Sequence, residues 1–180
     1  MPNHLVFDFE TTGVNVMKDL PVQAAIGIWN TEGKKVMLKS HIINPRMDVS
    51  PGAAKVHGIN KWVIQKEGKS LRWFAKAWHE LVWAHQPCVV LGYNVINFDW
   101  PILQRVLHQH TQGKFKFPPV ERIVDVMFLA QRFFQIKKWP KLIASVNRLE
   151  IPHDPDSFHD AKADVDFTWK VYKKLIRMED

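Results

Sequence analysis

With 180 residues, 46% of them hydrophobic and 24% charged, the chain has the composition of one ordinary globular domain over 1–180, which excludes a disordered or fibrous protein. Its 25 basic and 18 acidic residues leave a net charge of +7, which favours a polyanionic partner. Cys88 is the only cysteine, so no internal disulfide is possible; no apolar stretch reaches the ~20 residues of a membrane span, and no leader-like apolar region precedes Leu5, so a soluble, reducing compartment, most simply the cytoplasm, is expected.

Residues 4–10 form an apolar run closed by Thr11-Thr12-Gly13, which reads as a buried strand ending in a turn. Residues 23–30 and 35–43 read as two more strands, and short turns would make the three a meander. Short helical pieces over 51–66 break at Gly58. Ser70 is placed to cap a helix running to about 86, where Leu71, Phe74, Trp78, Leu81, Val82 and His85 recur at helical spacing. Cys88 to Gly92 is a short apolar strand, and Asp99-Trp100-Pro101 opens a helix with proline in its first turn. A short strand over 121–125 is followed by helices near 126–135 and 140–149. Ile151 to Phe158 is a loop, and a last helix over about 160–177 puts Val165, Trp169, Tyr172 and Ile176 on one face. No repeat, linker or low-complexity tract interrupts this order. Strands first, then strand–helix alternation, give a mixed α/β sheet covered by helices. The eight tryptophans are expected mostly in the core.

Four acidic residues and a histidine stand out against this pattern. Asp8 and Glu10 are two apart in a strand, so both side chains leave one face while Phe7 and Phe9 leave the other. Two carboxylates side by side repel unless a cation lies between them, and a hard cation such as Mg²⁺ or Mn²⁺ suits an oxygen cage. The alternative is a strand with a solvated polar face, which the flanking Leu5, Val6 and Phe7 disfavour. Asp99 follows Tyr93-Asn94 at the end of an apolar strand, where ligand sites gather in such folds; by itself it reads as a helix N-cap more readily than as a ligand. His159 and Asp164 are five apart, about 140° around a continuous helix. The better arrangement therefore puts His159 on the loop or first turn and Asp164 one turn in. Taken singly, each reads more readily as an ordinary surface residue than as a functional one.

In order, Asp8-Phe9-Glu10 with Thr12-Gly13, Asn94 through Asp99, and His159 through Asp164 resemble the three motifs of the DEDD superfamily of 3′–5′ exonucleases, in its histidine-containing, DnaQ-like branch. His57-Gly58-Ile59 matches a further segment of that family. The resemblance covers residues 8 to 164. It implies a ribonuclease-H-like fold: a mixed sheet, antiparallel meander plus parallel strands, covered by helices. It also implies two divalent ions, Mg²⁺ or Mn²⁺, held by Asp8, Glu10, Asp99 and Asp164, with Asp8 shared between them. His159 would take the proton of the attacking water, a task suited to a side chain that ordinarily ionises near neutrality.

The family grips a 3′ end. The resemblance therefore implies substrate contacts from Thr11, Thr12, Val14, His57, Ile59 and Asn94, with Ile59 as a wedge against the bases. Trp62 could stack on a base, since aromatic faces bind bases without reading sequence; packing of a short helix is the competing reading. The expected partner is nucleic acid with a 3′ end, single-stranded DNA or a frayed duplex end, with no membrane contact and with any polymerase or nuclease-complex partner on a separate chain. An RNA-trimming enzyme of the same family and a non-catalytic nucleic-acid-binding subunit are the alternatives. The form Asp-Phe-Glu-Thr-Thr-Gly resembles DNA-acting proofreading and repair members. Two further stretches stand out: Lys114-Phe115-Lys116-Phe117, cations mixed with aromatics, and the acidic loop His153-Asp154-Pro155-Asp156-Ser157.

Overall fold

The computed structural model describes residues 2–111, 122–154 and 158–177. The first strand, β1 (Asn3–Thr11), lies inside a six-stranded sheet of order β4-β3-β2-β1-β5-β6. β2 (Pro21–Trp29) and β3 (Lys35–Asn44) extend β1 on one side as an antiparallel meander. β5 (Cys88–Gly92) and β6 (Arg122–Asp125) extend it on the other side in parallel. The expected mixed sheet is therefore the observed one. β4, the two residues Lys69–Ser70 beside the end of β3, is too short to leave a periodic signal in the sequence.

Helices cover both faces of the sheet, and the alternation of β1 explains how. Leu5, Phe7 and Phe9 point into one core with Phe74 and Trp78 of α3 (Leu71–Ala84) and Ile102 and Leu103 of α4 (Asp99–His110). Val6 points into the other core. There Val126 and Ala130 of α5 (Val126–Phe134), Val146 of α6 (Leu142–Arg148) and Val165, Trp169 and Tyr172 of α7 (Ala161–Arg177) pack. Asp8 and Glu10 continue the Val6 face, so this strand carries carboxylates where its pattern calls for core residues. The two remaining helices, α1 (Pro51–His57) and α2 (Lys61–Glu67), follow β3 and are separated at Gly58, which takes a left-handed backbone at φ 66°.

Close packing holds α7 to the sheet. Trp29 stacks on Trp169 with ring centroids 4.8 Å apart and planes 20° apart. A pair of this kind is worth roughly 0.5–1.5 kcal/mol beyond the area it buries. Gly27 leaves room for it: a Cβ there would lie 2.3 Å from the Trp29 ring and 2.9 Å from Val165.

Several sequence expectations need correction. The β1–β2 connection is not a short turn but a loop over 12–20, because Asp19 and Thr12 tie it down with their own hydrogen bonds. α3 ends at Ala84, with His85 as its C-cap. Ile176 does not share the buried face of α7; Val171 and Leu175 do, because the helix is packed by the sheet on one side and by α5 and α6 on the other. Tryptophans are not mostly core: Trp29, Trp78 and Trp169 are buried, whereas Trp62, Trp73, Trp83 and Trp139 are exposed on outer helix faces and a loop. Ser70 does cap α3, accepting from the Trp73 amide at 3.1 Å. The segment 114–117 and residues 155–157 lie outside the described residues. Among the described residues, no helix is long and apolar enough to cross a membrane.

Candidate metal centre

The site forms where β1, β5 and β6 end on the same edge of the sheet, the edge at which open α/β folds place ligands. Asp8 and Glu10 rise from the end of β1, and the start of α7 brings Asp164 over the same face. Single oxygens of these three carboxylates all lie within 4.8 Å of one another. Asp164 sits one turn into α7 and His159 precedes the helix, the arrangement expected from their spacing.

Asp99 arrives differently. The β1–β5 ladder ends at Val6 opposite Leu91, and beyond it β1 has no strand partner on that side. The Phe9 amide donates instead to Asp99 Oδ1 at 3.1 Å. Asp99 is therefore not the cap of its own helix. Phe98 occupies the cap position without a side-chain hydrogen bond, and Asp99 is the first helical residue, 3% exposed. It lies outside the close trio, yet after burial its charge acts most strongly on Asp8.

Electrostatically the cluster is unbalanced. Burial, followed by the charges of Asp99, Asp164, Glu10 and Asp160, pushes the Asp8 carboxyl well above the usual range. Burial, Asp164 and Asp160 raise Glu10 to about 8. Burial and Asp160 raise Asp164 to about 7, although the His159 backbone amide donates to it and opposes the rise. Burial raises Asp99 as well, against the hydrogen bonds it accepts. The four ion pairs found among the described residues lie elsewhere. Asp164 Oδ1 is buried with no hydrogen-bond partner, a costly state for an acceptor. Convergent hard oxygens, one of them orphaned and none paired with a basic side chain, fit a divalent cation. Asp8, Glu10 and Asp164 would hold it.

The residues expected to touch substrate divide into groups. Thr11, Val14 and His57 line a pocket of about 240 Å³ beside Glu10, together with Gly13, Val56 and Phe98. Val14 is 88% exposed at its rim. His57 turns Nδ1 to the Ile59 amide at 2.9 Å and leaves Nε2 buried without a hydrogen bond. Ile59 lies in a neighbouring groove with Arg46, Lys61 and Gln65. Trp62 is 58% exposed under the ammonium of Lys66, 4.4 Å from the ring centroid. Thr12 is committed internally: its hydroxyl donates to Asp19 at 2.9 Å and accepts the Leu20 amide at 3.1 Å. His159 is exposed, with a left-handed backbone at φ 66°, and its ring stands outside the carboxylate trio.

Asn94 has φ 60° and donates its backbone N–H to Asp125, a residue that sequence reasoning missed. The buried Asp125 carboxylate also accepts from Ile96 and from Met127, so one side chain fixes the turn leading to Asp99 and caps α5. Its signal was available: an aspartate closing the strand Arg122–Asp125 just before a helix. Gly92 lets that turn close, since a Cβ there would lie 2.6 Å from Val95. Arg105 of α4, donating to the Val16 and Asp19 carbonyls, and Asp160 were missed as well.

The family model for RNase T-type proteins, described as Exonuclease, matches residues 5–172. No curated protein matches the sequence. Among solved structures, E. coli exonuclease I in complex with a dT13 oligonucleotide is 22% identical with a TM-score of 0.81, covering 98% of this chain and 41% of its own. The zinc-bound form of the E. coli exonuclease I–single-stranded DNA complex is 22% identical with a TM-score of 0.77, covering 100% of this chain and 41% of its own. The chain thus spans about two-fifths of the length of these structures.

The raised carboxylates give a testable stability profile. Unfolded carboxylates ionise near pH 4. In the fold Glu10 and Asp164 hold their protons to about 8 and about 7. Without metal, the folded chain binds more protons than the unfolded chain across that window, so stability is full below it and falls as pH rises through it. A bound cation removes the penalty and displaces the protons. Thermal unfolding with Mg²⁺ and with chelator should show little stabilisation at pH 5 and clear stabilisation at pH 8. Equal stabilisation at both pH values, or none, would contradict the cage.

Proposed function

From its membership of the exonuclease family, within the DEDD superfamily of 3′–5′ exonucleases, and from the convergence of Asp8, Glu10 and Asp164 at the sheet edge, we propose that the chain hydrolyses single-stranded DNA from its 3′ end and releases nucleoside monophosphates. The carboxylate convergence carries this reading. A buried acidic trio repels a phosphodiester unless cations intervene, and Asp99 on the flank would extend the oxygen set for a second ion. Bound there, divalent cations would supply charge compensation for the transition state and a more acidic attacking water.

The chain's own groups do the rest. Asp8, Glu10, Asp99 and Asp164 would hold the ions. The pocket of Thr11, Val14 and His57 beside Glu10 receives the terminal nucleoside. Ile59 and the exposed Trp62 flank the entering strand. His159 accepts the proton of the attacking water from its exposed position ahead of α7. That position leaves the imidazole free to turn toward the substrate, and catalytic hydrogen bonds often tighten only in the substrate complex. DNA is favoured over RNA by the form of the first motif, and the net charge of +7 suits either polyanion. The single-stranded DNA complexes of exonuclease I support the choice of probe.

The test offers end-labelled single-stranded DNA, duplex DNA and RNA, with and without Mg²⁺. Monophosphates should leave single-stranded DNA one at a time from the 3′ end and only with the cation. Asp8→Ala should abolish this release and keep nucleic-acid binding. Faster trimming of RNA would favour the RNA-acting reading, and release from the 5′ end or without metal would refute the mechanism. His159→Ala should lower turnover by about 10²–10⁴-fold and leave metal affinity unchanged. A variant that keeps the full rate would show that another group takes the proton.

A further inference from the structure

Gln23 is the one polar side chain in the body of β2. It stands directly across the β1–β2 ladder from Glu10, so it leaves the sheet on the carboxylate face. Its amide meets the start of α7, remote in sequence: Nε2 donates to Asp160 Oδ1 at 2.9 Å, and Oε1 accepts the Ala161 N–H at 3.3 Å. The orientation of the amide is forced, because a carboxylate only accepts here and a backbone N–H only donates.

These bonds add a polar anchor at the start of α7, beside the burial of Ala161 in the core. The body of the helix is fixed by its apolar face and by the Lys35–Asp166 ion pair at 2.6 Å. The first amides of a helix lack intrahelical acceptors, and Ala161 finds one in Gln23. Asp160 in turn accepts the Asp164 N–H at 3.0 Å, so anchoring Asp160 anchors the turn that carries Asp164. The His159 backbone amide also bonds to the Asp164 carboxylate. We infer that Gln23 is a positioning residue that locks the first turn of α7 to β2 and so fixes Asp164 and His159 opposite Asp8 and Glu10. The kinetic consequence rests on the proposed hydrolysis; the structural consequence does not.

Two variants of the full chain separate this role from a helix cap of purely structural value. Gln23→Ala removes both bonds. The double change Gln23→Glu with Asp160→Asn reverses the donor and acceptor and keeps the net charge, since an amide at 160 can donate to a carboxylate at 23 whose other oxygen still accepts from Ala161. In Gln23→Ala, amide hydrogen exchange over 161–164 should rise while the rest of α7 is unchanged. Mn²⁺ should bind about ten-fold more weakly and kcat on single-stranded DNA should fall about ten-fold with KM nearly constant. The double variant should recover both. Unchanged exchange in Gln23→Ala, unchanged Mn²⁺ affinity, or a double variant no better than Gln23→Ala would overturn the inference. If the wild-type chain does not hydrolyse nucleic acid, the functional reading fails, while exchange and Mn²⁺ affinity still decide the role of Gln23.

Discussion

The structure depends on one electrostatic conflict: carboxylates placed on a strand face that is otherwise core. β1 is buried from Leu5 to Phe7, and its pattern continues as Phe9 on one face and Asp8 and Glu10 on the other. Burial alone would keep such groups protonated, and their mutual repulsion adds to that tendency. The fold nevertheless adds Asp164 from α7 and Asp99 from α4 to the same edge. Four carboxylates gathered without a basic partner among the described residues cost stability unless something positive arrives. The chain belongs to the exonuclease family, and the proposed cation site would relieve this conflict.

The rest of the fold delivers these groups to one place. The antiparallel meander of β1 to β3 gives Glu10 its cross-strand neighbour Gln23, which reaches α7. The parallel strands β5 and β6 end beside β1, where Asp125 holds the turn that leads into α4. The end of the β1–β5 ladder frees the Phe9 amide for Asp99. The Trp29–Trp169 stack over Gly27 sets how closely α7 lies on the sheet. These devices join segments distant in the chain, and together they fix the carboxylates relative to one another.

Much of this was legible in the sequence. The alternation of Leu5 to Glu10 gave both the buried strand and the shared face of its carboxylates. The five-residue spacing from His159 to Asp164 placed one before the helix and the other one turn inside it. Element types survived because their apolar periods are strong; their ends moved because capping depends on tertiary partners. Asp99 shows why: its sequence context is that of an N-cap, but its carboxylate crosses to an amide of another strand, a contact no local pattern encodes. Thr12 shows the converse, since its hydroxyl is absorbed by Asp19 and Leu20 of its own loop. Gln23 and Asp160 meet across more than a hundred residues of chain, so neither signals alone. The exposed tryptophans were misjudged because residue type reports burial only on average.

If this acidic cluster is a cation cage rather than a set of neutral, protonated carboxyls, crystals grown with Mn²⁺ near pH 8 will hold manganese in it. Anomalous diffraction should then show one manganese peak enclosed by Asp8, Glu10 and Asp164, and a second in contact with Asp8 on the Asp99 side. Absence of any peak at these carboxylates, with Mn²⁺ bound elsewhere on the same molecule, would contradict the cage.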